Sequence, residues 1–249
     1  MQFTERENVR EQKFNHIWNE DLDEVFTDVA KYYDRANHVA SFGLWNWLRR
    51  EFLSTIDVSS GQKVLDVCAG TNAIGLALLN KQADLEVSAI DRNEAMQKVG
   101  QKFAIKQGKH IKSIIGDVHE LPFPDNYFDI VTLQYASRHL HIMLVSKEIQ
   151  RVLKPGGYFY HSDMLRPENR LIEFLYYTYL RASLTFTAFI FRSNSAALNC
   201  RDYFIKTLRM FYSANEFSQL LEQSGYQNIS KKILLGGMIG FHKAMKTLN

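Results

Sequence analysis

The fold class is indicated by the stretch KVLDVCAGTNAIGLALLNK, residues 63–81. Its beginning, KVLDV (63–67), is a short apolar run of the length that a buried strand has. The apolar residues of AIGLALLNK (73–81) recur at helical spacing instead, and a turn that contains Gly70 joins the two segments. A strand, a tight turn and a helix in this order predict the first unit of a parallel sheet.

The alternation of strands and helices continues after this unit. Asn93 is placed to cap a helix that Gly108 ends, and the turn Pro155-Gly156-Gly157 introduces the last strand of the series. Strands are predicted at residues 85–90, 111–115, 128–134 and 158–164, with helices at 94–107 and 145–154. Short connections between such elements predict a parallel sheet with helices on both faces.

The last quarter of the chain predicts an antiparallel arrangement. Ser213 and Glu216 form a capping box for a further helix. Two strand-like runs follow at 226–235 and 238–245, joined at Gly236-Gly237, and a two-glycine joint of this kind is typical of a hairpin. We therefore predict an α/β fold with a mostly parallel, seven-stranded sheet and a C-terminal antiparallel hairpin.

The N-terminal part of the chain differs in composition from the part in which strands and helices alternate. All three tryptophans, Trp18, Trp45 and Trp47, lie in it. We predict a helical cap over residues 1–60, with an aromatic face, laid over a main domain at 61–249 to form one compact unit with it.

The most apolar segment is LIEFLYYTYLRASLTFTAFIF, residues 171–191, which we interpret as a mostly buried or substrate-facing helix. Glu173 and Arg181 interrupt it, so it lacks the roughly 20 uninterrupted apolar residues of a transmembrane helix. The charged N-terminus does not resemble a signal peptide, and a cytoplasmic protein is expected. Peripheral contact with a membrane surface is a hypothesis that the phenylalanines and tyrosines of this helix motivate.

The composition excludes several classes of protein. The 249 residues are 46% apolar and 23% charged, as in ordinary globular domains, and the net charge of +3 does not indicate nucleic acid binding. Cys68 and Cys200 belong to no spacing typical of a metal site, so no metal is expected, and a reducing compartment is the default. The oligomeric state is left open, with a homodimer as one option.

Acidic residues follow the predicted strands, where open parallel sheets bind their ligands. Asp91 ends the second strand, and a carboxylate there can accept both hydroxyls of a ribose. Asp117 follows the third strand and can accept from an adenine amine. Each of these residues has an alternative role as a simple turn or cap residue.

The residues at the turn after the first strand indicate which charge the ligand carries. It contains neither GxxxxGK[ST] nor a full GxGxxG, so no phosphate clamp is predicted. Asp66 would repel a pyrophosphate but suits a ligand that bears an ammonium or sulfonium group. The pattern favours S-adenosylmethionine over a dinucleotide.

The sequence resembles class I S-adenosylmethionine-dependent methyltransferases, and more closely the UbiE family of quinone-biosynthesis C-methyltransferases. Two features are specific to this family: the N-terminal pattern of Tyr33, Asp34 and Asn37 followed by Ser-Phe-Gly at 41–43, and the tail LRMF...GG...FHK. The other matching segments are KVLDVCAGT (63–71), ELPFPDNYFDIVTLQ (120–134), RVLKPGGYF (151–159) and the tail from Arg201 to His242. The resemblance implies a Rossmann-like fold and S-adenosylmethionine as cofactor.

The resemblance also implies site residues. The segment from Tyr33 to Asn37 would close over the cofactor, and Arg138 would lie near the substrate. Together with the strand-end argument, it predicts a cofactor site formed by Tyr33, Asn37, Asp66, Ala69, Gly70, Thr71, Asp91, Arg92, Asp117, Val118 and Gln134.

Two segments depart from the family pattern. The turn AGGTGD is CAGTNA here (68–73), so Ala69 brings a methyl group toward the ligand, whereas Asn72 tolerates the left-handed conformation. The segment SFGLRN is QYASRH here (134–139), with Gln134 and His139 as the changed polar residues.

The function that the resemblance implies is methylation of an electron-rich ring carbon of a prenylated quinol in menaquinone or ubiquinone biosynthesis. His139 and His161 are candidate general bases, and Arg138 is a candidate for stabilising a phenolate. Each has a structural alternative: a cap or surface histidine, a core histidine, and a surface ion pair, respectively. Three functional alternatives remain: a methyltransferase of another small phenolic or polyketide metabolite, an NAD-dependent reductase, and a non-catalytic subunit.

Overall fold

The computed structural model describes residues 3–191 and 195–248. The side chains of 192–201 lie outside the described part, among them Cys200 and Arg201. The cysteine whose side chain is described, Cys68, is free and follows the first strand.

Within the described residues, one seven-stranded sheet forms the centre of the molecule. Its strands are β1 (Lys63–Val67), β2 (Glu86–Asp91), β3 (Lys112–Ile115), β4 (Phe128–Gln134), β5 (Leu153–Met164), β6 (Tyr226–Leu234) and β7 (Ile239–Lys246). They lie in the order β3-β2-β1-β4-β5-β7-β6, and only the pairs β5–β7 and β6–β7 are antiparallel. The predicted α/β fold with its C-terminal hairpin is confirmed.

Helices cover both faces of this sheet. They are α1 (Phe3–His16), α2 (Leu22–Val29), α3 (Tyr33–Ala40), α4 (Trp45–Leu53), α5 (Ala73–Lys81), α6 (Glu94–Lys106), α7 (Ile142–Val152), α8 (Arg170–Phe191), α9 (Ser195–Met210) and α10 (Ala214–Gln223). Helices α7 and α10 bury their apolar residues on one face, and α4, α5 and α6 bury theirs on the other. Both faces of the central strands are therefore apolar, which explains why KVLDV does not alternate.

The boundaries of the elements follow the predictions closely, with one exception. The predicted bounds of β1 and β4 are those of the structure, and β2 and β3 each begin one residue later than predicted. The helix predicted to reach residue 154 ends at Val152, and β5 already begins at Leu153. The residues of the expected turn, 155–157, lie within the bounds of β5 and form an irregularity in its pairing with β4, since Leu153 pairs with Phe128 and the next pair is Tyr158 with Ile130.

The hairpin depends on the two glycines predicted to join its strands. Gly236 and Gly237 have φ angles of +66° and +98°, and residues other than glycine rarely adopt such positive φ angles. The capping box of Ser213 and Glu216 is also present at the start of α10. Both local predictions are confirmed.

The first helix reaches the interior of the molecule. Glu7 and Arg10 of α1 form a completely buried ion pair. The Arg10 Nη2 atom donates to the carbonyl of Arg138 at 2.8 Å, and Glu7 Oε2 accepts from the amide of Ile142 at 2.6 Å. Helix α1 is therefore tied to the start of α7 and to the segment that follows β4.

Among the helices of the described residues, α8 is the longest, with 22 residues, and it contacts α3 and α9. Over the described residues, no helix has both the length and the apolar character that crossing a membrane requires.

Candidate active site

A cavity of about 370 Å³ opens at the carboxyl ends of β1, β2 and β4. This is where the strand order reverses, between β1 and β4, and where sheets of this kind bind ligands. The cavity brings together eight of the predicted site residues, namely Tyr33, Gly70, Asp91, Arg92, Asp117, Val118, Gln134 and His139.

A second pocket of about 40 Å³ shares part of the cavity wall. The predicted residues Asp66, Ala69 and Thr71 line this smaller pocket, and Tyr33, Gly70 and Gln134 line both spaces. Among the pockets of the described chain, neither of these two includes Asn37, Arg138 or His161. The structure therefore places three predicted site residues away from the cavity.

Asp91 supports the turn after β1 and faces the cavity. Its Oδ2 atom accepts from the amide of Gly70 at 2.8 Å, and its Oδ1 atom accepts from the amide of Asn93 at 2.8 Å. Burial raises the pKa of Asp91 above its ordinary value, although the two amide bonds act in the opposite direction. Because each carboxylate oxygen has more than one acceptor direction, both can still accept a ligand hydroxyl.

Asn72 gives the turn after β1 its conformation and connects it to α6. Asn72 has φ +58° and ψ +26°, the left-handed conformation that the sequence led us to expect it to tolerate. Its Oδ1 atom accepts from Gln97 Nε2 at 2.9 Å, which ties the turn to α6. At Gly100, a Cβ atom would lie only 2.7 Å from Asn72 Nδ2, so this helix position needs a glycine. Helix α6 thereby holds the turn in place.

Ala69 is the second departure from the family pattern in this turn, because it has a methyl group where the family pattern has a glycine. Ala69 lines the small pocket. Replacing Ala69 with glycine is expected to tighten S-adenosylmethionine binding modestly, by less than about tenfold, as measured by calorimetric titration. Weaker binding would mean that the turn is built around the methyl group.

Asp117 is oriented by a histidine that the sequence argument missed. Its Oδ1 atom lies 2.7 Å from His119 Nδ1 and accepts from the His119 amide at 2.9 Å. The His119 Nε2 atom accepts from the amide of His141 at 3.3 Å, so the proton belongs on Nδ1. Burial would raise the pKa of Asp117, but the bonds from His119 outweigh it and lower the pKa.

Arg92 reaches the N-terminal helices across the cavity mouth. Its guanidinium donates to the carbonyl of Trp18 at 2.8 Å and to that of Asn19 at 3.1 Å. The neighbouring Asn93 donates to Asp23 Oδ1 at 2.8 Å. These bonds hold the segment around Trp18 to Asp23 over the end of β2.

Tyr33 lines both the main cavity and the small pocket, and the side chain of Asn37 hydrogen-bonds to its backbone. The ring of Tyr33 stands edge-on to that of Trp45, with centroids 6.4 Å apart. Burial is the main cause that raises the pKa of Tyr33 to about 12. The Asn37 side chain donates to the Tyr33 carbonyl at 3.0 Å, within α3.

His139 is a neutral, buried imidazole in the cavity wall. Its Nδ1 atom lies 2.5 Å from the Tyr203 hydroxyl, and its buried Nε2 atom has no hydrogen-bond partner among the described residues. Burial lowers the pKa of His139 well below its ordinary value, and the charges of Arg138 and Arg10 lower it further. A neutral imidazole with a free nitrogen is able to accept a proton.

Arg138 and His161 belong to a buried polar cluster behind this wall. Arg138 Nη1 lies 2.5 Å from Asp163 Oδ1 in a buried ion pair. His161 Nε2 lies 2.7 Å from Ser137 Oγ, and the His161 ring stacks on Phe217 with centroids 3.9 Å apart. Burial lowers the pKa of His161 well below its ordinary value, so it is a neutral, packed residue in this structure.

The donor set of the site fits S-adenosylmethionine. Asp66 accepts from Thr132 Oγ1 at 2.7 Å, while its Oδ2 atom is buried and lacks a partner in the described part of the chain. Gly70 has a φ angle of +51°, and a Cβ atom there would lie 3.1 Å from Met96 Cε, closer than an ordinary contact. The described residues contain no group of three or more histidine, cysteine, aspartate or glutamate side chains placed to hold a metal ion.

A family model described as the ubiE/COQ5 methyltransferase family matches residues 9–246. The chain belongs to this family. It is a methyltransferase that depends on S-adenosylmethionine, as the resemblance implied, and the predicted family, enzyme class and cofactor are confirmed.

Two named relatives match nearly the full length of this family member. A ubiquinone/menaquinone biosynthesis C-methyltransferase UbiE of Rickettsia bellii is 31% identical over 232 residues, which cover 90% of this chain and 92% of the relative. A demethylmenaquinone methyltransferase of Staphylococcus aureus is 30% identical over 234 residues, which cover 93% and 95%. The match includes both the cap and the sheet.

Solved structures agree with the family on the fold. A SAM-dependent methyltransferase from Aquifex aeolicus superposes with a TM-score of 0.56, at 21% identity, over 80% of this chain and 89% of that one. This similarity supports the class I methyltransferase fold and nothing finer.

Sequence reasoning missed several residues that build the site. Arg49 and Tyr203 lie far in sequence from the strand ends, and the spacing of neither points to the site. Asp34 belongs to the N-terminal pattern, but nothing in its position in the sequence assigns it to the cofactor site. His119 could have been identified from the sequence, because it lies two residues beyond Asp117, a spacing at which a histidine can hydrogen-bond to an aspartate.

Proposed function

We propose that this chain methylates a ring carbon of a prenylated quinol, the chemistry for which its relatives are named. The observation that carries the proposal is the neutral His139, which stands in the wall of the same cavity as Asp91 and Asp117. A base placed beside a nucleoside-binding edge is what activation of a phenol next to S-adenosylmethionine requires.

The cavity residues divide into those that hold the cofactor and those that shape its surroundings. Asp91 would accept from the ribose, Asp117 from the adenine amine, and Asp66 from a positively charged group. Gly70, Thr71, Ala69, Val118 and Gln134 would form the walls. Arg92 and Asn37 are assigned a positioning role, because Arg92 holds the N-terminal segment and Asn37 supports Tyr33.

When bound, S-adenosylmethionine supplies an electrophilic methyl group on a positively charged sulfur. His139 takes the proton of the quinol hydroxyl on Nε2, which makes the ring carbon beside it electron-rich. Tyr203 holds the imidazole through Nδ1. Arg138 lies behind the wall, and its positive charge helps to keep His139 neutral by lowering its pKa. His161 is assigned to packing between β5 and α10.

The test is methyl transfer from labelled S-adenosylmethionine to reduced demethylmenaquinone and to a panel of small phenols. Label in the quinol ring supports the proposal. The alternative, another phenolic or polyketide substrate, is motivated by Gln134 and His139, which differ from the family pattern. Transfer to a panel phenol with none to the prenylated quinol would establish that alternative.

We also propose that α8 meets a lipid surface, where the prenyl tail of such a substrate resides. Its outward face is apolar: Phe174 is 66% exposed and Phe189 is 82% exposed. A groove of about 700 Å³ runs along this face, and Arg181 and Arg209 also line it. Aromatic side chains flanked by arginines suit the boundary of an anionic bilayer.

Flotation with vesicles that contain anionic phospholipid is expected to carry part of the protein into the lipid fraction. The double variant Phe174→Ser/Phe189→Ser should float less, because it removes apolar area from the α8 face. Ile105→Ser is the matched control, since Ile105 is 75% exposed on α6. Protein that stays wholly in the soluble fraction would count against lipid contact.

The N-terminal segment is expected to act as a lid over the cofactor. Residues 25–45 should exchange their amide hydrogens more slowly when S-adenosylhomocysteine is bound, because Tyr33 lines both spaces at the site. Hydrogen exchange followed by mass spectrometry measures this, with the β6–β7 hairpin as an internal control. Equal exchange with and without ligand would make the segment a static part of the core.

A further inference from the structure

Helix α1 buries a charged face toward the interior. Its buried residues are Glu7, Arg10 and Phe14, and the side chains of Glu7 and Arg10 are completely inaccessible to solvent. A buried ion pair costs the desolvation of both charges, and apolar residues of similar volume often stabilise a protein as well or better. The pair is therefore explained by what it binds and not by the stability that it contributes.

The ion pair holds both ends of the short segment that carries His139. Arg10 Nη2 donates at 2.8 Å to the carbonyl of Arg138, the residue directly before His139. Glu7 Oε2 accepts at 2.6 Å from the amide of Ile142, the first residue of α7. Two side chains that are neighbours on one face of α1 thus fix residues 138–142 at both ends.

Residues in and directly after α9 hold the ion pair in turn. Thr207 Oγ1 donates at 2.8 Å to the same carbonyl of Arg138. The Tyr212 hydroxyl donates at 2.8 Å to Glu7 Oε1, the oxygen that also pairs with Arg10. Because the pair is anchored on the side away from the segment, it is able to restrain the segment.

The charge of Arg10 also acts on His139. Burial is the largest cause that lowers the pKa of His139, and the charges of Arg138 and Arg10 lower it further. The other titratable groups beside this segment are the Tyr203 hydroxyl of α9, on His139 Nδ1, and Asp163 of β5, which is paired with Arg138. Arg10 is the cation that α1 adds to this set.

We propose that Arg10 is a positioning residue for the base: with Glu7 as its partner, it holds the segment 138–142 so that His139 faces the cavity. The inference rests on the proposed function, because it takes His139 as the group that accepts the quinol proton. Neither Glu7 nor Arg10 is among the described residues that line the cavity, so the effect passes through the backbone next to His139. A displacement of about 1 Å at a reacting group costs roughly hundredfold in rate.

The test removes the ion pair without leaving a buried charge unpaired. In the double variant Glu7→Gln/Arg10→Met, the glutamine keeps an acceptor for the amide of Ile142, whereas the guanidinium and its bond to Arg138 are lost. We expect kcat with the quinol to fall by about tenfold to hundredfold. The KM for the quinol and the affinity for S-adenosylmethionine should stay close to the wild-type values.

The pH profile of kcat separates positioning of the base from a purely structural role. Without the charge of Arg10, the pKa of His139 rises toward its ordinary value, so the acidic limb of kcat should move to higher pH. Arg10→Lys keeps the charge but lacks the planar fork of donors, so it should recover part of kcat and keep the wild-type limb. A smaller folded fraction would lower activity without moving the limb.

Glu148→Gln/Arg151→Met is the matched control. This pair on α7 has the same spacing of three residues, and it also binds a backbone segment. Glu148 Oε2 accepts from the amide of Leu121, and Arg151 Nη2 donates to the carbonyl of Leu121, both at 2.8 Å. Neither residue is among those described as lining the cavity. The control should lose stability but keep kcat and its acidic limb.

The outcomes distinguish this inference from the proposed function. An unchanged kcat in Glu7→Gln/Arg10→Met, or a lower kcat with an unmoved limb, refutes the positioning role while the proposed function stands. If this variant does not fold, Arg10→Lys decides: a lower kcat at unchanged KM supports the role, and a wild-type kcat overturns it. If the wild-type protein transfers no methyl group to the quinol, or if His139→Ala keeps the wild-type kcat, the proposed function fails in that respect, and the inference fails with it.

Discussion

Replacing Asp91 with alanine is expected to weaken S-adenosylmethionine binding by about 30-fold or more. The carboxylate faces the cavity and also holds the turn after β1 through the amides of Gly70 and Asn93. Its removal leaves two ribose hydroxyls without acceptors, at a cost of roughly 2–4 kcal/mol, and it loosens the turn in the same step. Calorimetric titration of the folded variant measures the change.

Asp129→Ala provides the matched control for this change. Its carboxylate also accepts from a backbone amide, that of Lys63 at 2.8 Å, and from Lys154 Nζ at 2.7 Å. It lies at the amino end of β4, away from the cavity. The control should lose stability but keep the wild-type affinity. An unchanged dissociation constant in Asp91→Ala would remove Asp91 from the cofactor site.

The second large effect is expected at His139. His139→Ala should lower kcat by about 10²–10⁴-fold, the usual contribution of a general base, with little change in S-adenosylmethionine affinity. The basis is the neutral imidazole in the cavity wall, whose Nε2 atom has no partner among the described residues. Single-turnover kinetics with the quinol separates this loss from a loss of binding.

The control for the base is the other histidine that the sequence singled out. His161→Gln should keep most of kcat if it folds, because His161 lies behind the cavity wall against Phe217. Equal losses of kcat in the two variants would contradict the assignment of His139. A loss confined to His161→Gln would place the base in the buried cluster of Ser137 and Asp163.

The pH dependence of kcat follows from the direction of the pKa shift. Because the pKa of His139 lies well below its ordinary value of 6.5, the base form persists as the pH falls through 6.5. Activity should therefore be lost only at a lower pH, where His139 finally protonates, and kcat should be flat around neutrality. An acidic limb with its midpoint at or above 6.5 would show that a different group acts as the base.

Local patterns were sufficient to predict the sheet. Residues 63–67 and 128–134 are mostly apolar runs whose bounds the structure reproduces, because a strand covered on both faces buries most of its side chains. The hairpin was equally readable, since the glycines at 236 and 237 have positive φ angles that few other residues adopt. The turn expected at 155–157 falls inside the bounds of β5, in the irregular stretch where the pairing with β4 skips from Leu153 to Tyr158.

The cofactor edge could be predicted for a related reason. Parallel strands end at one edge of the sheet, so residues such as Asp91 and Asp117, which follow strands, are brought together by the topology alone. No comparable rule predicts which residues of the helices reach the site. Arg49 and Tyr203 reach the site only because α4 and α9 pack where they do, and no short-range pattern encodes that packing.

The choice between histidines shows the same limit. His139 follows β4 and His161 lies near the carboxyl end of β5. Both are buried, and burial lowers the pKa of both, so residue type and burial do not distinguish them. The distinction comes from their neighbours. Phe217 of α10 covers the ring of His161, whereas His139 faces the cavity with Tyr203 behind it. The sequence of strands and helices thus determines that the residues after the strands lie at one edge of the sheet. The packing of helices distant in sequence decides which of their side chains reach the ligand.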